Sequence, residues 1–208
     1  MKVIFGTTNE RKVKDLQNII DFFNFDIQVL SMNDIGWDRG DIIEDGNTIS
    51  ENSLIKAKAI YEFCTDKGFY FPIITDDSGL FCEALNGEPG IYTARYADDE
   101  LSLDTNLPKY QCVIKLLRNL DGVKNRNAMY KCCVTCMMPD GTYFQEFGES
   151  NGVIAEEIIG KLNKPYLYSV FVLDNYDKAF SDLNSEELKC TYRHKALRKV
   201  LVKLVDYR

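Results

Sequence analysis

Apolar runs that end at glycine or at polar turns divide the chain into predicted strands. Two of these runs flank Pro139-Asp140-Gly141-Thr142, a turn signal typical of hairpins. The segments that predict strands are residues 2–5, 26–31, 71–74, 129–138 and 142–148, the residues after Gly152, and the apolar part of residues 160–173.

Other segments repeat apolar residues every three or four positions, which predicts helices. At the start of the second such segment, Thr48 and Glu51 have the spacing of a capping box, which gives Glu51 a structural explanation. The predicted helices cover residues 13–23, 48–63, 107–120 and a last segment from Asn184 or Ser185 to about Val205. No repeat or linker interrupts this alternation, so we expect a single α/β domain over residues 1–208.

The charge balance limits the classes of partner. The chain carries 25 basic and 32 acidic residues, a net charge of −7. General nucleic-acid binding needs a broad basic surface and is therefore not expected, whereas a small phosphate ligand needs only a few local cations. No apolar run approaches the roughly 18 residues of a membrane helix, and no signal peptide is recognisable, so we expect no membrane partner.

The cysteines and the histidine favour structural over chemical roles. Seven cysteines, an odd number, indicate reduced thiols and a cytoplasmic location. Cys133 and Cys136 form a CxxC without the second ligand pair that structural zinc requires, so we expect both, with Cys132, to be small buried apolar residues. His194 is the only histidine, and we expect it at the surface.

A candidate anion site follows the first predicted strand. Gly6-Thr7-Thr8-Asn9 leads into a helix whose first turn carries Lys12. Strand, polar turn and helix aim backbone N–H groups at an anion, although an ordinary capped helix would look the same. The pattern of a Walker loop is missing, so that mechanism is not supported.

The strongest candidate for an active-site segment is residues 73–97. It opens as a buried strand and then places Asp76 and Asp77 before Ser78-Gly79, where we expect the strand to give way to a turn. Two adjacent acids are costly there unless they are solvated, paired or bound to a cation. Residues 32–47 are also acidic and are either a solvated loop or a source of magnesium ligands.

Several blocks of residues carry a resemblance to a known family. They are Gly6-Thr7-Thr8-Asn9-Glu10-Arg11-Lys12, residues 46–57 (GNTISENSLIKA) and residues 76–97, with weaker blocks at 139–141, 152–157, 176–180 and 193–197. In this order the blocks resemble the inosine triphosphate pyrophosphatase family, which hydrolyses non-standard purine nucleoside triphosphates. The similarity covers essentially the whole chain.

The resemblance implies an elongated mixed β-sheet flanked by helices, in two lobes with the nucleotide in the cleft between them, and a homodimer. It also implies attack by water at the α-phosphorus, which gives a nucleoside monophosphate and pyrophosphate and uses Mg²⁺ (or Mn²⁺). Asp77 would orient or deprotonate the water, Lys12 would assist catalysis, and Glu44, Asp76 and Asp77 would serve the metal. The residues expected at the substrate are Thr7, Thr8, Asn9, Lys12, Lys56, Ser78, Gly79, Arg95, Tyr168, Lys189, Tyr192 and Arg193.

The C-terminal third departs from the family pattern. Thr191-Tyr192-Arg193 stands in place of Ser-His-Arg, and the family's base-reading Phe-Gly-Tyr-Asp-Pro loop aligns with residues 165–169 (PYLYS). Tyr166 or Tyr168 offers an aromatic face for stacking, but the polar groups that read the base are changed. We therefore expect an active pyrophosphatase with altered or relaxed base preference. The alternatives are a catalytically weak nucleotide-binding protein and an enzyme for another phosphorylated small molecule.

Overall fold

The computed structural model describes residues 1–104 and 106–206. The strands within them are β1 (Lys2–Phe5), β2 (Gln28–Leu30), β3 (Ile73–Cys82), β4 (Pro89–Gly90), β5 (Asn127–Met137), β6 (Tyr143–Ile154) and β7 (Phe171–Leu173). The α-helices are α1 (Glu10–Phe22), α2 (Ile49–Lys67), α3 (Asp98–Leu103), α4 (Gln111–Asn119), α5 (Ser185–Leu188) and α6 (Tyr192–Asp206). In this part of the chain no helix is both long and apolar enough to cross a membrane.

The described strands form one mixed sheet. Its order is β2-β1-β3-β5-β6-β7, and β4 pairs with β3. β1 is parallel to both β2 and β3, whereas β3 with β4 and β6 with β7 are antiparallel. The predicted α/β class, a mixed sheet flanked by helices, is confirmed.

The residues group into two compact units. The first unit comprises Met1–Asp77, Cys132–Gly148 and Lys189–Arg208, and the second comprises Ser78–Lys131 and Glu149–Leu188. The expected single domain with a nucleotide between two lobes stays a prediction.

The core of the first unit lies between the sheet and α2. Ile4 of β1 and Ile73 of β3 are buried with Ala57, Ile60 and Phe63 of α2. The helical spacing of the three α2 residues places them on one face, which is the face that the sheet covers. Elsewhere in this unit, α1 and α6 pack against each other.

Both ends of α2 are fixed by local hydrogen bonds. The Thr48 hydroxyl accepts from Glu51 N at 3.0 Å, and the Glu51 carboxylate accepts from Asn47 N at 2.6 Å. The predicted cap is thus confirmed, with the carboxylate bonded one residue earlier than in the standard capping box. At the other end Gly68, at φ +77°, donates to the Cys64 and Thr65 carbonyls and ends the helix.

Aromatic packing organises the second unit. The Tyr168 ring lies 4.5 Å from that of Phe180 and 5.2 Å from that of Tyr130, and Tyr130 also packs on Phe171. Arg126 donates to the carbonyls of Leu120, Ile154 and Ala155, which ties the end of α4 to the end of β6.

Several predicted boundaries were wrong. β3 continues through Ser78 and Gly79, where we expected a turn, and glycine is needed there because a Cβ at Gly79 would overlap Gly90 O. Residues 142–148 and the stretch after Gly152 form one strand, β6. The predicted last helix is two helices, α5 and α6. Asn184 caps only the first of them, since its side chain accepts from the backbone of Glu186 and Glu187.

Gly148 sets how closely β6 approaches the start of α6. A Cβ at this position would overlap Tyr192 O and lie 2.8 Å from Ala196 N. Because both obstacles are backbone atoms, Gly148→Ala should push the helix from the strand. We expect the free energy of unfolding to fall by about 3 kcal/mol, measured by urea denaturation.

Gly40→Ala is the matched control for this prediction. A Cβ at Gly40 meets nothing within 4 Å, so only its left-handed φ of +69° is strained. That strain alone costs about 1 kcal/mol. If Gly148→Ala lowers the free energy of unfolding by no more than Gly40→Ala does, close packing of Gly148 against α6 is not the reason for the glycine.

Candidate active site

Asp76 and Asp77 occupy opposite faces of β3. Successive side chains of a strand point to opposite sides of the sheet, so adjacent aspartates meet different neighbours. Asp76 is 2% exposed and contacts Lys12 and Arg193, whereas Asp77 is half-buried and approaches Lys56. The two acids therefore form two centres, both within the first unit.

The first centre is Asp76 held by two cations. Lys12 Nζ donates to both carboxylate oxygens, at 2.9 and 3.0 Å, and Arg193 Nε donates to Oδ2 at 3.1 Å. Burial by itself would raise the pKa of Asp76, but Lys12 and Arg193 outweigh burial and hold it well below its ordinary value. Burial lowers the pKa of Lys12, and attraction to Asp76 opposes that shift only in part.

The second centre is Lys56 between two carboxylates. Its Nζ lies 3.1 Å from Glu44 Oε2 and 3.8 Å from Asp77 Oδ1, and its side chain is 12% exposed. Glu44 comes from the acidic loop, which Asn52 holds by accepting from Gly46 N at 2.9 Å. The acidic loop therefore brings the Glu44 carboxylate to Lys56.

The two centres are electrostatically connected. Lys12, Arg193 and Lys56 all lower the pKa of Asp76, and Arg193 and Lys56 both act on Lys12. On β5, Cys132 lies near Asp76 and Cys133 near Asp77. Burial raises the pKa of Cys132 to about 12 and that of Cys133 to about 11, which keeps both thiols protonated. The expectation of buried cysteines is confirmed.

The predicted anion loop precedes α1. Thr7 Oγ1 accepts from Asn9 N at 3.1 Å, and Asn9 O accepts from Val13 N at 3.2 Å. Gly6 N donates to Ile74 O, which ties the loop to β3. Thr8 and Asn9 are exposed at the helix N-terminus, where backbone N–H groups favour an anion. Their role at the substrate stays a prediction.

The other predicted substrate residues lie in both units. In the first unit, Tyr192 is buried and Lys189 Nζ lies 4.0 Å from the Phe22 ring centroid. In the second unit, Arg95 lies over the Tyr92 ring and Tyr168 is 6% exposed. Ser78 and Gly79 are strand residues of β3. Contact of these residues with a nucleotide stays a prediction.

His194 is not at the surface, which corrects our expectation. It is 8% exposed, and its Nδ1 has no hydrogen-bond partner among the described residues. Burial lowers its pKa, with Asp15 opposing the shift. His194 shares a helical face with the buried Leu197 and Leu201, so the spacing of α6 contained the signal.

The sequence reasoning missed polar residues on the buried face of α2. Asn52 and Ser53 are buried there among Ile49, Ala57 and Ile60. Reading that face at helical spacing would have identified them, because two polar side chains interrupt an apolar stripe. Asn52 anchors the Glu44 loop, and Ser53 bonds to β3 and β5.

Comparison with known proteins gives a consistent result. The model of the Ham1 family matches residues 3–203. The dITP/XTP pyrophosphatase of Clostridium perfringens is 36% identical over 204 residues, covering 96% of this chain and 95% of that protein. The dITP/XTP pyrophosphatase of Flavobacterium johnsoniae is 33% identical over 206 residues, covering 99% and 97%.

Solved structures show the same fold. The Staphylococcus aureus Ham1 protein has a TM-score of 0.82 and 27% identity, and the match covers all of both chains. A HAM1 protein from Coxiella burnetii has a TM-score of 0.81 and 25% identity over 99% of both chains. On the family model, the relatives and the fold together, this chain belongs to the Ham1 family.

Proposed function

We propose that this chain hydrolyses non-standard purine nucleoside triphosphates of the dITP and XTP kind to the monophosphate and pyrophosphate. The observation that carries the proposal is the pair of centres around Asp76 and Asp77, with three cations beside them. Relatives that share a third of the sequence bear the name dITP/XTP pyrophosphatase. A catalytically weak binding protein is not favoured, because the relatives that match nearly the whole chain are named as pyrophosphatases.

In the proposed reaction, water attacks the α-phosphorus and the bond to the leaving pyrophosphate breaks. Asp77 orients that water and accepts its proton, since it is the half-buried acid, whereas Asp76 is bound by Lys12 and Arg193. Lys12 and Lys56 offset the negative charge of the phosphates. Thr7, Thr8 and Asn9 bind phosphate oxygens at the start of α1.

Magnesium, or manganese in its place, is the proposed metal. Glu44 and Asp77 present oxygen donors of the kind that Mg²⁺ prefers, and both already converge on one cation, the Lys56 ammonium. Among the described residues no group of three or more His, Cys, Asp or Glu side chains forms a preassembled metal site. Bound there, the metal would polarise the phosphates and neutralise developing charge.

Asp76 acts as a positioning residue in this proposal. Both of its oxygens are bonded to Lys12 or Arg193, so the predicted metal role of Asp76 would require these bonds to change. A homodimer and a cytoplasmic location are the other parts of the proposal; the seven free cysteines fit the latter.

The role of Asp77 is tested by Asp77→Asn. An amide cannot accept the proton, so we expect kcat to fall by about 100-fold or more, measured as pyrophosphate released from dITP with Mg²⁺. The fold should persist, because Asp77 is only half-buried. Asp121→Asn, which changes an exposed carboxylate in the second unit, is the control. Retention of more than about a tenth of kcat in Asp77→Asn would exclude the proposed role.

The role of Asp76 is tested by the pH dependence of stability. Its folded-state pKa is lowered, so its stabilisation is fully present above its unfolded pKa of about 3.9 and is lost as pH falls towards the folded pKa. Asp76→Asn should therefore cost about 3 kcal/mol at pH 7, because Lys12 and Arg193 lose their partner. The difference in free energy of unfolding between Asp76→Asn and wild type should shrink below about pH 4, because Asp76 becomes protonated in the unfolded wild-type chain.

Urea denaturation at several pH values between neutrality and acid measures this effect. Asp26→Asn is the control, because the Asp26 side chain is 95% exposed. If the difference in free energy of unfolding between Asp76→Asn and wild type stays constant down to acidic pH, the ion pairs of Asp76 are not its source.

Relaxed base preference is tested by a substrate panel. The segment aligned with the base-reading loop is largely buried, and its Ser169 hydroxyl donates to Tyr166 O within the segment. A site with few polar readers discriminates weakly. We expect kcat/KM for dITP and XTP to exceed that for dGTP by no more than about 100-fold, measured by pyrophosphate release. A ratio of kcat/KM of about 10⁴ or more in favour of dITP and XTP would contradict a relaxed base preference. It would mean that further polar residues bind the base.

A further inference from the structure

A row of polar side chains crosses the buried face of the sheet beside Asp77. Thr75 and Thr135 are fully buried on β3 and β5, and Gln145 is half-buried on β6. These strands are neighbours in the sheet, and the three side chains are linked in a row, Gln145 directly to Thr135 and Thr135 through Ser53 to Thr75. Thr75 is two residues before Asp77 and shares its face of β3.

The first two turns of α2 cover this row with hydroxyl groups. Ser53 Oγ lies 2.7 Å from Thr135 Oγ1 and 3.2 Å from Thr75 O, and Thr75 Oγ1 donates to Ser53 O at 2.7 Å. Ser50 Oγ donates to Gln145 Oε1 at 2.7 Å. Gln145 Nε2 donates in return to Ser50 O and to Thr135 Oγ1, both at 2.9 Å.

The hydrogen bonds have a consistent direction. Gln145 donates to Thr135, so the Thr135 hydroxyl is available to donate to Ser53, whose own hydroxyl then donates to Thr75 O. The Thr75 hydroxyl is directed to Ser53 O. Every hydroxyl and amide hydrogen in the set therefore has an acceptor, which buried polar groups require.

The same elements carry the two groups of the second centre. Lys56 follows Ser53 by three residues and extends the helical face that bears Ser50 and Ser53. Asp77 follows Thr75 on the same face of β3. Because hydrogen bonds are directional and apolar contacts are not, the network fixes the rotation and register of α2 against β3 at this end.

We propose that Ser50, Ser53, Thr75, Thr135 and Gln145 are positioning residues that hold Lys56 against Asp77. They act through these two groups and do not touch the substrate. The kinetic part of the inference rests on the proposed pyrophosphatase activity, in which Asp77 orients water and Lys56 offsets phosphate charge.

Thr135→Val is the decisive variant, because it keeps the shape of the side chain and removes the hydroxyl that joins Gln145 to Ser53. We expect kcat for dITP to fall about tenfold while KM changes by less than about threefold, since small displacements of catalytic groups affect mainly the reacting geometry. Thr135→Ser restores the hydroxyl and should keep kcat within about threefold of wild type.

Two control variants separate positioning from general loss of stability. Phe63→Leu removes core volume further along α2 and should lower Tm with kcat retained, because Phe63 packs in the core of the first unit. Thr65→Val makes the same chemical change on α2, at a hydroxyl whose one partner among the described residues is Tyr61 O. If Thr135→Val does not fold, Ser53→Ala, which removes the other half of the same bond, is measured in its place.

A crystal structure of the variant gives a readout independent of turnover. The distance from Lys56 Nζ to Asp77 Oδ1 is 3.8 Å, and it should lengthen by about 1 Å in Thr135→Val and not in Thr135→Ser. Wild-type protein without turnover would refute the proposed function, yet this distance would still decide the positioning role. An unchanged distance, an unchanged kcat, or an equal loss of kcat in Phe63→Leu would overturn the inference.

Discussion

The two-residue repeat of an extended strand is the constraint on which this site depends. Asp76 and Asp77 are adjacent in β3, so they cannot face the same side of the sheet. One is therefore buried against cations from α1 and α6, and the other faces α2. Cys132 and Cys133 repeat the division on β5, one beside each acid. The sheet thus separates Asp76, which is paired with two cations, from Asp77, the acid that we propose orients the water.

The charges of the two centres balance in the absence of ligand. Asp76, Asp77 and Glu44 face Lys12, Lys56 and Arg193. Asp76 lies within 4 Å of Lys12 and Arg193, and Lys56 lies within 4 Å of Glu44 and Asp77. In the proposed reaction, a phosphate that binds one of the lysines would draw it from its carboxylate, and that carboxylate would then be left to attract a divalent cation. In the proposed function this exchange would couple anion binding to cation binding, and it would allow a chain of net charge −7 to accommodate a triphosphate.

Local signals predicted much of the fold. The apolar run of β1, the cap of α2 and the hairpin between β5 and β6 depend on neighbouring residues, and each was found. The turn expected at Ser78-Gly79 failed for a non-local reason, because the glycine there admits the backbone of β4. The candidate site residues were identified from the resemblance to a family. The faces that Asp76 and Asp77 occupy could not be predicted, because the predicted strand ended at residue 74, before the two aspartates. The prediction of a surface position for His194 was wrong. It gave more weight to the many charged residues of this helix than to the apolar residues that share a helical face with His194.

The contrast between the two ends of α2 explains why hydroxyl groups are placed beside the site. Ala57, Ile60 and Phe63 stabilise the helix by burial, and such contacts tolerate small rotations and shifts. At the other end Ser50 and Ser53 are bonded to three strands, and any rotation of the helix would leave buried donors unsatisfied. Lys56 lies between these two regions. The apolar contacts on its C-terminal side stabilise α2, and the hydrogen bonds on its N-terminal side fix the orientation of the helix. A carboxylate and an ammonium only 3.8 Å apart need that second kind of constraint, because Coulomb attraction alone does not select a direction.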